Sequence, residues 1–426
     1  SGLLGLTFAA DFTTSGDVFV AYITDPAEVA GPQRFRLSRF ASDGTTADPL
    51  SEQSLFEVND IDPDQPQHQG GDLAFGADGK LYWVLGDRVE GTVVSQPLDS
   101  LFGKVLRLNA DGTIPTDNPY YDTLEGDFRA IFGNGLRNPY RMERHPTTGE
   151  LYMSEVGPTD WEEINQVEAR ANYGWPAREV RCPQGQNPPC DGPPAGLVDP
   201  ITDYSHDDGL FVTAGAFVPD GVWPEPYDGT YLVADGAFGT IWAWDGEVDL
   251  ASAFRFHDTS RPTDMAFVTG PTGPALWYVQ QNGEVHKVTY AVPAAPADSG
   301  PQRYVPLPEP DRRFDSRELS PAAPLRAGQT RLIDLDAPAG ATAALVNLAL
   351  VRPLSNGGNA TAWQPRTLRP STSNVNAPPG ANVANASIVP LDNDGRMLLF
   401  SQATSHVLID VAGFYVDQSG PTTAGR

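Results

Sequence analysis

The chain has 426 residues, 40% of them hydrophobic, which is enough for more than one folded domain. Gly (42) and Pro (40) together make nearly a fifth of it, which favours many short strands and turns over long helices. The net charge is −27, from 55 acidic and 28 basic residues; this argues against a nucleic-acid partner, and no apolar run approaches the roughly 20 residues of a membrane span. Lysine occurs only at Lys80, Lys104 and Lys287. Such an acidic surface suits an exported protein, a calcium binder or a salty habitat. The sequence starts at Ser1 with no visible signal peptide, so the chain reads as processed or truncated there.

In chain order, the recurring unit is a turn holding Gly, followed by an alternating aromatic and aliphatic run. It occurs at Gly16–Tyr22, Gly79–Val84, Gly149–Met153, Gly229–Val233 and Gly273–Val279, about 45–80 residues apart. Period-two alternation after a turn is a strand buried on one face. Five such units predict an all-β chain whose blades form a β-propeller with uneven insertions, a generic β-sandwich being the alternative. Cys182 and Cys190 bracket seven residues rich in Pro, Gly and Asn. A metal site would need further ligands nearby, so the pair predicts a local disulfide and an oxidising compartment, against two free thiols in a cytosolic loop. Pro293, Pro296, Pro301, Pro306, Pro308 and Pro310 predict a semi-stiff linker over residues 292–312. Runs at Arg331–Leu335, Ala343–Leu348, Met397–Phe400 and His406–Val411 then predict a small, β-sandwich-like domain over 313–426. Its ionisable residues do not cluster.

Residues 1–291 carry a series of short blocks. They are Gly2–Phe8, Gln67-His68-Gln69-Gly70-Gly71-Asp72, Gly86-Asp87, Gly103-Lys104-Val105-Leu106-Arg107 and Asp117-Asn118-Pro119. Arg137-Asn138-Pro139, Glu155-Val156-Gly157-Pro158, Glu163-Ile164-Asn165 and Asn172-Tyr173-Gly174-Trp175-Pro176 follow. Each block is weak alone, but the ordered series resembles the soluble glucose/sorbosone and aldose sugar dehydrogenases that use pyrroloquinoline quinone (PQQ) and calcium. The resemblance implies a six-bladed propeller with the cofactor over its central channel. Family members have further strands before the Gly2 block, which leaves the first blade incomplete here. That leaves three options: an incomplete sequence, a five-bladed ring, or an open sheet edge that self-associates.

The same resemblance assigns roles. His68 matches the general base that takes the sugar's anomeric proton, and Asp87 the carboxylate that orients it. Arg137 and Asn138 match residues beside the quinone, and Arg261 is the one cation kept in a later basic block. The carbonyls of Gly157 and Pro158 match ligands of the cofactor's calcium, and Glu163 and Tyr173 match a second, structural calcium site. Each residue also has a plainer reading: loop capping for His68, a turn for Asp87, blade joining for Arg137-Asn138, a solvated Glu163 and a packed Tyr173.

Two departures stand out. PQQ carries three carboxylates, yet Val233–Trp242 has no basic residue, and Asp235 within it has the wrong sign. Asp72 stands where an arginine is usual. Two functions follow from the resemblance. One is a secreted quinoprotein that oxidises aldoses at the anomeric carbon; the other is a non-catalytic propeller for extracellular binding or assembly. Through Arg313-Phe314-Asp315-Ser316-Arg317 and Asp410–Tyr415, the C-terminal domain resembles a β domain appended to secreted actinobacterial proteins. This implies export, and surface attachment or self-association, but no reaction.

Overall fold

The repeated glycines fix the strand plan. Gly16, Gly79, Gly149, Gly229 and Gly273 all have φ between +70° and +95°, where only glycine avoids a steric penalty. Each lies at the turn between the first and second strands of an antiparallel sheet. The computed structural model describes residues 2–25, 33–59, 67–186, 190, 196–223, 227–246, 250, 253–270, 273–289, 302–317, 324–325, 329–353, 357–365, 369–370 and 372–417.

The first sheet is β1 (Gly2–Phe8), β2 (Asp17–Ile23), β3 (Phe35–Ala41) and β4 (Gln53–Val58). The second is β5 (Gly70–Phe75), β6 (Leu81–Leu85), β7 (Lys104–Leu108) and β8 (Ile131–Asn134). The third begins with β9 (Pro139–Arg144), β10 (Leu151–Glu155) and β11 (Trp161–Gln166). After a small hairpin of β12 (Arg178–Glu179) and β13 (Cys182–Pro183), it closes with β14 (Thr202–Ser205). The fourth is β15 (Val212–Phe217), β16 (Tyr231–Asp235), β17 (Thr240–Trp244) and β18 (Phe254–Asp258). The fifth is β19 (Pro262–Gly270), β20 (Gly273–Gln280) and β21 (Val285–Val288).

The first strands pack in succession, β1 on β5, β5 on β9, β9 on β15 and β15 on β19, which is the propeller arrangement. Between the first two sheets lie Phe19, Phe35, Leu37 and Phe56 against Leu81, Trp83 and Leu106, all buried. Fully burying such a side chain contributes roughly 1.5–3 kcal/mol. On the other face of the second sheet, Val84 and Val105 meet Met142 and Met153 of the third. The second sheet is therefore packed on both faces, which is why β6 and β7 are buried along their whole length.

Besides the β12–β13 hairpin, five sheets are present among the described residues of this part of the chain. Among the described residues the first sheet has four strands and the last, β19–β21, has three. The last sheet accordingly exposes Val268, Trp277, Val279 and Val285 on one face, and β1 exposes Leu3, Leu6 and Phe8. Cys182 and Cys190 form the expected disulfide, with 5.4 Å between their Cα atoms.

The chain divides into two units, Ser1–Trp244 with Arg255–Thr289, and Asp245–Phe254 with Tyr290–Arg426. The second unit holds β22 (Gln302–Asp315), β23 (Gln329–Asp334), β24 (Ala341–Val351), β25 (Gly358–Trp363), β26 (Val375–Ala377), β27 (Asn382–Pro390), β28 (Arg396–Ser401) and β29 (His406–Asp417). They form two sheets, β22-β29-β24-β27 and β23-β28-β25-β26, around one core that includes Leu335, Val346, Leu399 and Ile409. The expected linker is corrected here. Residues 292–301 lie outside the described residues, and 302–312 are part of β22. Proline is tolerated in β22 because it is an edge strand, paired only with β29, so an outward-facing N–H is not needed.

Candidate active site

Topology gathers the candidate residues at one end of the sheets. His68, Arg137 and Arg261 precede the innermost strands β5, β9 and β19, while Asp87, Gly157 and Asp235–Phe238 lie at or beyond the ends of the second strands β6, β10 and β16. In an antiparallel meander those ends coincide.

His68 Nδ1 lies 2.7 Å from Asp87 Oδ1. Asp87 is almost fully enclosed, at 1% exposure, and accepts two further bonds. The Val89 N–H donates to Oδ1 at 2.8 Å, and the Trp175 indole Nε1–H donates to Oδ2 at 2.8 Å. Gly86 permits this approach, since a Cβ there would stand 2.0 Å from the His68 carbonyl oxygen. His68 has φ +48°, a left-handed conformation that costs a non-glycine residue about 1–3 kcal/mol.

Arg137 joins the same group. Its carbonyl accepts the Asp87 N–H at 2.7 Å, and its guanidinium lies over the Trp175 ring, 5.6 Å from the centroid. Its Nη1 donates to the Val156 carbonyl at 2.9 Å, beside Gly157. Buried Glu155 holds the turn before β9, accepting the N–H groups of Arg137 at 3.0 Å and Asn138 at 2.6 Å on Oε1. Burial pushes the Glu155 carboxyl well above the usual range, and these donors only partly offset it.

Gly157 sits where no side chain fits, because a Cβ would fall 1.7 Å from the Trp161 carbonyl oxygen. The loop after it is held by buried Glu179, whose Oε1 accepts the N–H groups of Asp160 at 3.1 Å and Trp161 at 2.9 Å. Among the described residues, the carbonyls of Gly157 and Pro158 accept no backbone hydrogen bond. Glu163, paired in register with Glu155, accepts from Val180 N–H and from Asn165 Nδ2, and burial pushes its carboxyl up to about 7. The Tyr173 hydroxyl is engaged elsewhere, donating to the Gln166 carbonyl at 2.8 Å and accepting the Glu168 N–H at 3.2 Å.

Among the described residues, no group of three or more His, Cys, Asp or Glu side chains is arranged to hold a metal ion. Still, Glu155 Oε2, Glu179 Oε2 and Asn165 Oδ1 are buried without a hydrogen-bond partner. Each of these atoms, like the two carbonyls, is an oxygen, the donor type that calcium takes.

The two departures are resolved locally. Asp235 is a buried loop anchor. Its Oδ2 accepts from Tyr204 Oη, Leu210 N and Phe211 N at 2.8–2.9 Å, and its Oδ1 from Ala237 N at 2.9 Å and Phe238 N at 2.6 Å. Asp72 accepts the Met142 N–H at 2.7 Å near Arg141, so the cation beside it comes from the neighbouring strand β9. Arg141 also pairs with Asp264 of β19 at 3.3 Å. Arg261 is exposed and donates to Gln281 Oε1 at 3.1 Å, without joining the His68–Arg137 group.

Sequence reasoning missed three residues of this site. Glu155 and Glu179 act through backbone N–H groups, which leave no pattern in a sequence. Trp175 meets Asp87 from 88 positions away. For Glu155 the one available signal was its place in the Glu-Val-Gly-Pro block, and for Trp175 its place before Pro176.

A family model described as Glucose / Sorbosone dehydrogenase matches residues 1–242. An aldose sugar dehydrogenase of Escherichia coli is 34% identical over 181 residues, 41% of this chain and 46% of that protein. Quinoprotein glucose dehydrogenase B of Acinetobacter calcoaceticus is 32% identical over 197 residues, 41% of this chain and 40% of that protein. The chain thus spans less than half the length of these curated relatives. Among solved structures, an oxidoreductase (glucose dehydrogenase) of Thermus thermophilus superposes with a TM-score of 0.53 at 27% identity, covering 67% of this chain and 80% of that one.

Proposed function

The chain belongs to the Glucose / Sorbosone dehydrogenase family, and on that premise we propose that its propeller oxidises aldose sugars at the anomeric carbon with PQQ as acceptor and His68 as general base. One observation carries the reading: a histidine hydrogen-bonded through Nδ1 to an enclosed carboxylate, which leaves Nε2 as the proton acceptor. His68 Nε2 takes the proton of the anomeric hydroxyl while hydride leaves the same carbon, giving the lactone. A placed base contributes roughly 10²–10⁴-fold. Asp87 holds the imidazole and stabilises its positive charge as the proton arrives. The Arg137 guanidinium, held by Val156 and Trp175, would balance negative charge in the pocket. When bound, the quinone supplies the two-electron acceptor that no side chain provides. Arg137, Asn138 and Arg261 would hold it, with calcium on the Gly157 and Pro158 carbonyls. A second calcium would use Glu163 and the Tyr173 segment.

The test is dye reduction by purified protein with PQQ, calcium and a panel of aldoses. Activity is expected, with its loss in His68→Ala; no PQQ binding at high PQQ concentration would refute the reading. The second reading, a non-catalytic propeller for extracellular binding or assembly, is favoured by one observation. The β16–β17 turn spends Asp235 on its own backbone and offers no cation to a carboxylate. Under that reading, the exposed apolar residues of β1 and of the last sheet are the surfaces for self-association. The disulfide supports an extracellular setting for either reading. Among the described residues, no helix is long and apolar enough to cross a membrane.

A further inference from the structure

The Trp175 ring touches both the acid–base pair and the cation of the site, and neither the family match nor any motif role accounts for it. We propose that Trp175 is a positioning residue, setting the tautomer of His68 through Asp87 and the seat of Arg137 through its ring face. The inference rests on the reading above in so far as His68 is the base.

The first step is donor counting. An indole N–H and a backbone N–H can only donate. Trp175 Nε1 occupies Asp87 Oδ2 at 2.8 Å, and Val89 N occupies Oδ1 at 2.8 Å. Both oxygens are therefore committed as acceptors, so Asp87 is held as the carboxylate. His68 Nδ1, 2.7 Å from Oδ1, must then carry the proton, and Nε2 keeps the lone pair. Without the indole, Oδ2 would be open to a proton or to a rotation of the carboxylate, and the tautomer would no longer be forced.

The backbone that carries the ring is itself fixed. The Trp175 backbone N–H donates to the Gly135 carbonyl at 3.0 Å, and the Trp175 carbonyl accepts Gln96 Nε2 at 2.7 Å. The same ring lies under the Arg137 guanidinium, a cation–π contact that leaves Nη1 to meet the Val156 carbonyl. The charged groups of this cluster are Asp87 and, across the indole, Arg137; Arg88 meets the His68 carbonyl only through its backbone N–H, at 3.3 Å, and its guanidinium lies over the Phe35 ring.

The experiment uses the cofactor-free full chain, so it does not depend on dehydrogenase activity. Trp175 is replaced by Phe and, separately, by 3-benzothienylalanine, which keeps the bicyclic shape and removes only the N–H. The His68 imidazole is followed by nitrogen-15 NMR across pH. With the indole donor gone, Oδ2 is open to rotation of the carboxylate, so the neutral His68 imidazole is expected to show a mixture of Nδ1–H and Nε2–H tautomers in place of Nδ1–H alone. A single Nδ1–H tautomer in the benzothienyl variant overturns the inference, even if the Phe variant fails to fold. Absence of PQQ binding would refute the dehydrogenase reading and leave this result standing by itself.

Discussion

Asp87→Asn tests the acid–base pair most directly, because it changes one oxygen for an NH2 and little else. Asp87 is enclosed and takes three donors on two oxygens. An amide has one acceptor oxygen. Two of the donors converge on the Oδ1 position, so the amide oxygen is expected there, with its NH2 pointing at the Trp175 N–H. Two donors then face each other in a dry site. A buried donor left unmet costs about 1–3 kcal/mol, and the remaining bonds lose their charge-assisted strength, so the variant should lose about 2–4 kcal/mol. For a unit of this size that is a fall of about 4–8 °C in Tm. Imidazolium formation at His68 also loses its counter-charge, so kcat with PQQ and an aldose should fall by about 10²–10⁴-fold. Thermal unfolding by circular dichroism and initial-rate kinetics measure the two effects. A Tm within about 1 °C of the parent would refute the three-donor clamp, whatever happens to the rate.

Gly157→Ala places a methyl 1.7 Å from the Trp161 carbonyl oxygen, so the loop must move; calcium affinity measured by calorimetry should drop more than overall Tm does. Half-buried Glu143 has its carboxyl pushed up to about 8, chiefly by burial and then by Asp72 and Asp264, and burial pushes Asp72 up to about 6. The folded chain thus keeps protons that the unfolded chain releases near pH 4–4.5. This contribution is complete below that range and is lost as pH rises towards about 8. Glu143→Gln should flatten the fall in Tm between about pH 5 and 8, and an unchanged slope would reject the assignment. Reducing the Cys182–Cys190 disulfide opens a short loop and should lower stability by roughly 2–3 kcal/mol, read as a Tm shift with and without reductant.

The blade plan was legible in the sequence because it is written locally. A glycine forced to positive φ, followed by an alternating run, is a signal contained within about seven residues, and all five examples landed on the second strand of a sheet. His68, Asp87, Arg137 and the Gly157 turn were legible for a related reason, since each lies in a block where glycine or proline dictates the backbone. What was not legible was the set of contacts across the sequence. Glu155 and Glu179 bond backbone groups, which have no sequence identity, and Trp175 reaches Asp87 from the segment after β11, 88 positions away. The prolines of β22 misled for a physical reason. Proline forbids a central strand but not an edge, and edge position is set by tertiary pairing with β29.

Costs within this unit are unevenly distributed, and their distribution bears on function. At the His68 end, the fold accepts a left-handed histidine, an enclosed Asp87, and buried Glu155 and Glu179 each with an unmet oxygen. For stability alone, apolar residues of similar volume would serve as well or better. At the β16–β17 turn buried Asp235 is fully met, by four backbone N–H donors and by the Tyr204 hydroxyl from β14. Unmet polar atoms and strain are therefore found where proton transfer and calcium would act, while the β16–β17 turn offers the quinone's carboxylates no cation. That pattern predicts a working acid–base pair combined with weak quinone affinity. It follows that a titration of PQQ, and not a rate at one fixed concentration, separates an enzyme from a binding propeller. Saturable activity that rises into high PQQ concentrations marks the first, and an ordered His68–Asp87 pair with no saturation at all marks the second.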